Sequence, residues 1–264
     1  MAWHTGDRVY DTILAIGFLF VGITSIAAWF VDSPYGRFSN TKLGLRINPR
    51  LGWFLMEIPS PIVFVLVFLQ GRNRGELVPL VFLCVWLIHY GNRAIFFPLS
   101  IRAPKGHRQS FGIGLVLIGW LATSLHGYLH SAYISDLGAQ YTDAWLTDPR
   151  FLIGISIYYV FFALNLQTEH ITRNLRSKAE VEAGEKVYRI PRGGLFRYVT
   201  NAPYFTELMA WLGFAIATWS LAGVFILTLS AANLVPRAFA THRWYRERFE
   251  DYPKDRKILI PFVL

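Results

Sequence analysis

Long apolar runs recur along the whole chain and constrain its fold more than any other feature. A helix needs about 20 apolar residues to cross the hydrocarbon core of a membrane. We place the predicted spans near residues 10–31, 51–70, 77–98, 110–134, 148–167, 203–219 and 221–240. Only 16% of the 264 residues are charged, whereas soluble domains average about 25%. The sequence therefore predicts an all-α, polytopic membrane protein: seven transmembrane helices in a single integral-membrane domain, residues 1–264.

The net charge of +9 is spread unevenly over the predicted connections. Lysine and arginine are frequent in residues 32–50, 99–109 and 168–202 and in the tail from Arg237 onward, and sparse in the alternate connections. Because basic residues favour the cytosolic side of membranes, the C-terminus is predicted to be cytosolic. The membrane would be the endoplasmic reticulum in a eukaryote or the cytoplasmic membrane in a bacterium. This distribution accounts for the positive charge without a nucleic-acid partner.

Glu57 interrupts the second predicted span, "LGWFLMEIPSPIVFVLVFLQ". Ionisable residues inside a membrane are costly and commonly mark a functional site. At 1.5 Å per residue, Glu57 lies roughly 9 Å and Tyr90 about 12 Å from the cytosolic face. Asn165, Glu169 and Glu207 also fall in the cytosolic half. The shared depth predicts one polar cavity that opens toward the cytosol.

Simpler interpretations of these residues exist. Glu57 and Arg93 could form a structural ion pair, and Tyr90 could be an interfacial anchor. The basic segment 168–202 could contact anionic lipid. None of these alternatives explains why the polar residues share one depth.

His126 and His130, in "HGYLH", are spaced as metal ligands on one helix face would be. No carboxylate or third histidine obviously joins them, so we predict no metal site. By residue counting they fall in the extracytosolic half, away from the predicted cavity.

The predicted cavity suits the reduction of a lipid. A tyrosine hydroxyl and a buried carboxyl can stabilise the oxyanion that forms when a hydride adds to an enone. Arginines at the cytosolic mouth suit a phosphate-rich ligand such as a dinucleotide. Together these features indicate a lipid-reducing enzyme.

The C-terminal third contains "YRIPRGGLFRYVTNAPYFTELMAWLGFAIATWSLAG" and "RAFATHRWYRERFEDYPKDRKILIPFVL". Upstream are "WFLMEIPS", "HYGNRAIF" and "LNLQTEHITRNLR". In these motifs the chain resembles the steroid 5α-reductases over essentially its whole length. The resemblance implies a seven-helix membrane bundle, which agrees with the predicted spans.

The resemblance also implies roles for individual residues. Glu57 and Tyr90 would hold the 3-keto oxygen of the substrate. The contacts with the cofactor NADPH would be Tyr35, Arg102, Asn165, Glu169, Arg176, Arg189, Glu207, Arg237, Tyr245 and Arg256.

The predicted function is NADPH-dependent reduction of the Δ4 double bond of a 3-oxo-steroid or a similar lipid enone, with hydride transfer to the β-carbon. The expected partners are this lipid and the membrane lipids, and we expect a monomer. One alternative is a lipid or isoprenylcysteine-type methyltransferase that uses S-adenosylmethionine. Another is a lipid transporter with a proton-coupled Glu57. The nucleotide that co-purifies with the protein would separate the three.

Overall fold

The computed structural model describes residues 4–30, 45–102, 111–184 and 187–264, most of which are helical. The helices are α1 Arg8–Phe30, α2 Pro49–Glu57, α3 Pro59–Phe68, α4 Leu77–Tyr90, α5 Phe97–Ser100, α6 Ile113–Ala132, α7 Pro149–Arg173, α8 Lys178–Glu182, α9 Ala202–Thr218 and α10 Leu221–Arg248. Two π-helical turns, Gly91–Phe96 and Tyr133–Leu137, and two 3₁₀ turns, Asp143–Thr147 and Gly194–Arg197, lie between them. Strand β1, Arg46–Ile47, pairs antiparallel with β2, Phe111–Gly112.

Within these ranges, six helical segments are long and apolar enough to cross a membrane. They are Arg8–Phe30, Pro49–Phe68, Leu77–Ser100, Ile113–Leu137, Pro149–Arg173 and Leu221–Arg248. The predicted all-α membrane fold is thus confirmed. Helix α9 covers the predicted sixth span but has 17 residues, about 25 Å at 1.5 Å per residue. The count of seven crossings stays a prediction.

The second membrane-length segment is broken where α2 ends at Glu57 and α3 begins at Pro59. A proline has no N–H, so Pro59 cannot donate to the Leu55 carbonyl one turn earlier. The Trp120 indole N–H of α6 donates to that carbonyl instead. The next carbonyl along α2 accepts a hydrogen bond from Thr123 Oγ1, 3.1 Å away. These contacts from α6 fix the position of Glu57.

Helix α4 ends at Tyr90, and the chain continues through the π-helical turn Gly91–Phe96 before α5. A π-helical turn inserts an extra residue into the helical repeat, and such turns are frequent at functional sites. The turn carries Arg93, whose side chain reaches Glu57. The third segment is therefore irregular where it meets the break in the second.

Helices α7 and α9 approach until their backbones touch. A Cβ on Gly154 of α7 would lie 2.3 Å from the backbone nitrogen of Ala217 in α9. A Cβ on Gly213 would lie 2.5 Å from the Tyr158 nitrogen. Small residues permit this close packing between membrane helices, and here they hold α7 and α9 in a fixed mutual position.

An aromatic core fills the bundle between α4, α7 and α9. Phe82, Trp86, Tyr158 and Phe214 are at most 1% exposed. The Trp86 ring lies 5.1 Å from the Tyr90 ring, centroid to centroid. The aromatic core therefore packs directly against Tyr90, the last residue of α4.

Candidate active site

A cavity of about 610 Å³ lies above the aromatic core and receives side chains from α1, α2, α4, α6, α7, α9 and α10. Apolar residues of α1, α6 and α10, such as Phe20, Ile118 and Leu229, line one part. Arg102 and Arg176 line another part, which we call the basic end. The cavity thus joins an apolar compartment to a basic one.

Eight of the residues selected from the sequence line this cavity. They are Glu57, Tyr90, Arg102, Asn165, Glu169, Arg176, Glu207 and Tyr245. They come from chain positions far apart, and the fold gathers them around one cavity. Arg102 and Tyr245 were expected from the family resemblance and not from depth counting.

Glu57 and Arg93 form an ion pair at the helix break. Arg93 Nε lies 3.2 Å from Glu57 Oε1, and the Arg93 guanidinium lies 5.0 Å from the ring centroid of Trp53. Glu57 is only 7% exposed. The ion pair considered from the sequence therefore exists, and among the described residues it engages Glu57 Oε1. Glu57 itself lines the cavity.

The Tyr90 hydroxyl hydrogen-bonds to His126 rather than to Glu57 within the described part of the chain. Its oxygen lies 3.1 Å from His126 Nε2 and 3.4 Å from Nδ1. His126 also lines the cavity, so the expectation that it lies away from the cavity was wrong. Counted from the helix ends at Ile113 and Ser100, the two residues differ in depth by about 5 Å, which their long side chains bridge.

His89 and Glu207 form a second polar pair at the cavity wall. Their closest nitrogen and oxygen lie 3.8 Å apart, and Trp211 Nε1 donates to Glu207 Oε1 at 3.2 Å. The other ring nitrogen of His89 lies 3.1 Å from the Tyr158 hydroxyl. His89 was not among the predicted site residues, although it directly precedes Tyr90.

Helix α7 brings Asn165 and Glu169 to the basic end. Asn165 Nδ2 donates to the Pro203 carbonyl and to Thr206 Oγ1, both at 3.0 Å. Glu169 Oε2 is buried and has no hydrogen-bond partner among the described residues. A buried acceptor without a partner is costly, so this oxygen suits a ligand that can donate a hydrogen bond.

Arg102 and Arg176 lie side by side at the basic end. Arg102 Nη1 donates to the Arg176 carbonyl at 2.5 Å, and Nη2 donates to Asn174 Oδ1 at 2.6 Å. These contacts anchor the Arg102 guanidinium beside the end of α7. Both arginines line the cavity, and a guanidinium group is well suited to bind phosphate.

Arg189 is not itself a lining residue, although it contacts the chain next to Arg176, which is one. It pairs with Glu180 and donates to the Leu175 carbonyl at 2.6 Å. Hydrogen bonding from Arg189 lowers the pKa of Glu180 to about 2. The described contacts of Arg189 thus hold the short helix α8 against the end of α7.

Arg237 and Arg256 are buried behind the lining. Arg237 Nε donates to the hydroxyl of Tyr204, a lining residue, at 2.9 Å. Arg256 Nη1 donates to the Pro191 carbonyl at 3.2 Å. Tyr35, the remaining predicted cofactor contact, lies outside the described residues.

Comparison with known proteins identifies similar chains. Residues 111–264 match the family model described as 3-oxo-5-alpha-steroid 4-dehydrogenase. The chain is 43% identical over 251 residues to 3-oxo-5-alpha-steroid 4-dehydrogenase 1 of Rattus norvegicus, covering 94% of this chain and 92% of the rat protein. It is 37% identical over 265 residues to Steroid 5-alpha-reductase DET2 of Solanum lycopersicum, covering 99% of each. The similarity therefore extends through the apolar helices as well as the basic end.

Proposed function

The chain belongs to the 3-oxo-5-alpha-steroid 4-dehydrogenase family of oxidoreductases, and from this premise we propose that it reduces the Δ4 double bond of a 3-oxo-steroid, or of a similar lipid enone, with NADPH. The rat and tomato relatives are named for this steroid chemistry. Family membership favours this reaction over the methyltransferase and transporter considered from the sequence.

The observation that carries the proposal is the joint presence of Tyr90 and Glu57 in the cavity wall, 3% and 7% exposed. When a hydride adds to the β-carbon of an enone, negative charge develops on the carbonyl oxygen. Hydrogen-bond donors already in position stabilise that charge in a site from which water is excluded. The Tyr90 hydroxyl would be one of these donors. Glu57 pairs with Arg93 as a carboxylate, so its Oε2 would become the second donor only after the carboxyl takes up a proton.

The basic end fits a phosphorylated dinucleotide. Arg102 and Arg176 would bind its phosphates, and Glu169 Oε2, buried without a hydrogen-bond partner in the described structure, would accept from one of its hydroxyl or amide groups. When bound, NADPH supplies the hydride that the reaction requires. The family resemblance adds these further contacts: Tyr35, Asn165, Arg189, Glu207, Arg237, Tyr245 and Arg256.

The proposal also covers the orientation of the chain, the source of the proton, the position of the lipid and the oligomeric state. In this proposal the mouth of the cavity and the C-terminus face the cytosol, and a proton from solvent reaches the α-carbon. The apolar compartment between α1, α6 and α10 would hold the hydrocarbon body of the lipid. The protein would act as a monomer, because one chain supplies all of these groups.

The test compares Tyr90→Phe and Glu57→Gln with the unmodified protein in detergent, with progesterone as substrate. General acid–base contributions are typically about 10²–10⁴-fold, so each variant is expected to lose turnover by about that factor. NADPH affinity should stay close to that of the unmodified protein in both variants, and so should the thermal stability of Tyr90→Phe. Glu57→Gln also breaks the ion pair with Arg93 and is expected to unfold at a lower temperature. Tyr159→Phe is the matched control, because Tyr159 is 41% exposed on the outside of α7. Normal turnover in an intact Tyr90→Phe protein would contradict the proposal.

A further inference from the structure

We infer that His126 is a positioning residue for Tyr90. In this arrangement the His126 Nε2–H donates to the Tyr90 hydroxyl oxygen and thereby directs the hydroxyl proton toward the substrate carbonyl. The inference rests on the proposed function, in which Tyr90 is the donor to that carbonyl. It adds a third side chain, from a different helix, to the Tyr90 and Glu57 pair.

The geometry ties the two rings together. His126 Nε2 lies 3.1 Å from the Tyr90 oxygen, and the rings are 5.7 Å apart at an interplanar angle of 27°. Both side chains lie over Trp86, at centroid distances of 5.1 Å for Tyr90 and 5.5 Å for His126. His126 is 3% exposed and reaches the same cavity as Tyr90. Packing therefore limits how far either ring can turn away from the other.

The chemistry follows from what a hydroxyl can do. A phenolic hydroxyl has one proton to donate and can also accept hydrogen bonds, whereas a neutral imidazole carries a single N–H. When the His126 N–H donates to the Tyr90 oxygen, the Tyr90 proton is left for another acceptor, which in the proposed complex is the substrate carbonyl in the cavity. Hydrogen bonds in such a chain also strengthen one another, by about 10–30% per bond. Tyr90 thus becomes both better oriented and a stronger donor.

His130 shows what a histidine with only a structural role looks like on the same helix. It is fully buried, its ring lies 4.8 Å from the Trp86 ring, and its Nδ1 donates to the His126 carbonyl at 2.7 Å. It makes no hydrogen bond to Tyr90 in the described structure and is not part of the cavity lining. The same substitution at His130 is therefore a matched control for His126.

The kinetic test compares three variants. His126→Phe keeps a ring of similar size but removes the N–H, and it is expected to lower kcat on progesterone about tenfold, the equivalent of one hydrogen bond, with little change in KM. His126→Gln returns an N–H at a similar reach and should restore most of the lost kcat. His130→Phe should keep kcat near that of the unmodified protein. A His126→Phe protein with normal kcat, or a His126→Gln protein as slow as His126→Phe, would overturn the inference.

A spectroscopic test reads the hydrogen bond without turnover. Progesterone labelled with ¹³C at C3 is bound in the presence of NADP⁺, which cannot reduce it, and the carbonyl stretch is recorded by infrared difference. Stronger hydrogen bonding lowers this frequency. We expect the lowest frequency in the unmodified protein and in His130→Phe, an intermediate value in His126→Phe, and the highest in Tyr90→Phe.

The two proposals fail differently in this experiment. If Tyr90→Phe leaves the carbonyl frequency unchanged, or if no bound carbonyl appears in the unmodified protein, the proposed function itself is wrong. If Tyr90→Phe raises the frequency but His126→Phe matches the unmodified protein, only the role of His126 is wrong. Thermal unfolding of each variant identifies a protein that has lost its fold, in which case His126→Gln alone decides the question.

Discussion

Arg93 Nε lies 3.2 Å from Glu57 Oε1, and this contact ties the last residue of α2 to the π-helical turn that follows Tyr90. Glu57 and Arg93 therefore hold the two irregular points of neighbouring membrane segments together. Breaking a buried pair leaves a charge without its partner and costs about 3–5 kcal/mol. The pair is thus structural as well as close to the proposed chemistry, and the two roles are separable.

A double-mutant experiment separates them. Arg93→Met should lower the free energy of unfolding by about 3 kcal/mol, because the Glu57 carboxylate loses its counter-charge. Adding Glu57→Gln removes that isolated charge, so the double variant should be more stable than Arg93→Met alone. Chemical unfolding in detergent measures both. An Arg93→Met protein as stable as the unmodified one would show that the pair does not stabilise the fold.

The basic end predicts a cofactor phenotype for Arg176. Charge-assisted hydrogen bonds contribute about 1.5–3 kcal/mol each, so Arg176→Ala should weaken NADPH binding by roughly tenfold or more. Arg72→Ala is the control, since Arg72 is exposed and pairs with Asp136 away from the cavity. Titration calorimetry with NADPH and NADH gives both affinities. An unchanged NADPH affinity in Arg176→Ala would show that Arg176 does not bind the cofactor and would favour the alternative, contact with anionic lipid.

The contact between α7 and α9 predicts that a single added methyl group lowers the stability of the protein. Gly154→Ala places its Cβ against the Ala217 backbone nitrogen, and overpacking of this kind typically costs about 1–3 kcal/mol. Gly22→Ala, on α1, meets no atom within 4 Å and should leave stability unchanged. Thermal unfolding of the two variants is the measurement. Equal stability would mean that α7 and α9 separate easily.

The ion pair on α8 predicts an acid-labile contact. The folded-state pKa of Glu180 is lowered from 4.5 to about 2, mainly by the hydrogen bond from Arg189. Its contribution to stability is therefore fully present above about pH 4.5 and is lost as the pH falls through about 2. A carbon NMR titration of the Glu180 carboxyl should give a midpoint near 2, and Arg189→Gln should move it upward. A midpoint unaffected by Arg189→Gln would show that the pair does not form in solution.

The uneven loop charges predict the orientation of the chain. A reporter fused after Leu264 should be cytosolic, and one inserted near Thr142 should lie on the opposite side. The structure places Thr142 in the connection before α7, away from the basic end. Protease protection in sealed vesicles measures both positions. Finding the two reporters on the same side would refute the proposed orientation.

Counting residues along the spans was enough to bring Glu57 and Tyr90 to one cavity, because helix rise is constant and the spans run antiparallel. The same counting failed for His126, because helix position alone does not describe how far a side chain reaches. It also gave no sign of the π-helical turn that presents Arg93, since its backbone geometry depends on packing between segments.

Pro59 and Arg189 show what the type of a residue predicts and what depends on its neighbours in the fold. Residues 51–70 were predicted as one continuous span, and Pro59 explains why the helix breaks after Glu57. The compensating donors, Trp120 and Thr123, are about 60 residues away in the chain and could not be assigned from the sequence. Arg189 is expected at the cofactor because the family motif contains it, and its described contacts include Glu180 and the Leu175 carbonyl. A motif identifies such a residue, whereas its neighbours decide which of its five N–H groups remain for a ligand.

The close contact at Gly154 and Gly213 also affects polar residues farther along the same two helices. Gly154 and Gly213 let α7 and α9 meet with no clearance, and the same two helices carry Asn165 about 16 Å and Glu207 about 9 Å away along their axes. We therefore expect the two helices to move as one unit, so that their contact at the glycines sets the relative position of Asn165 and Glu207. A single carbon atom added at either glycine would displace these polar side chains, although neither glycine lines the cavity.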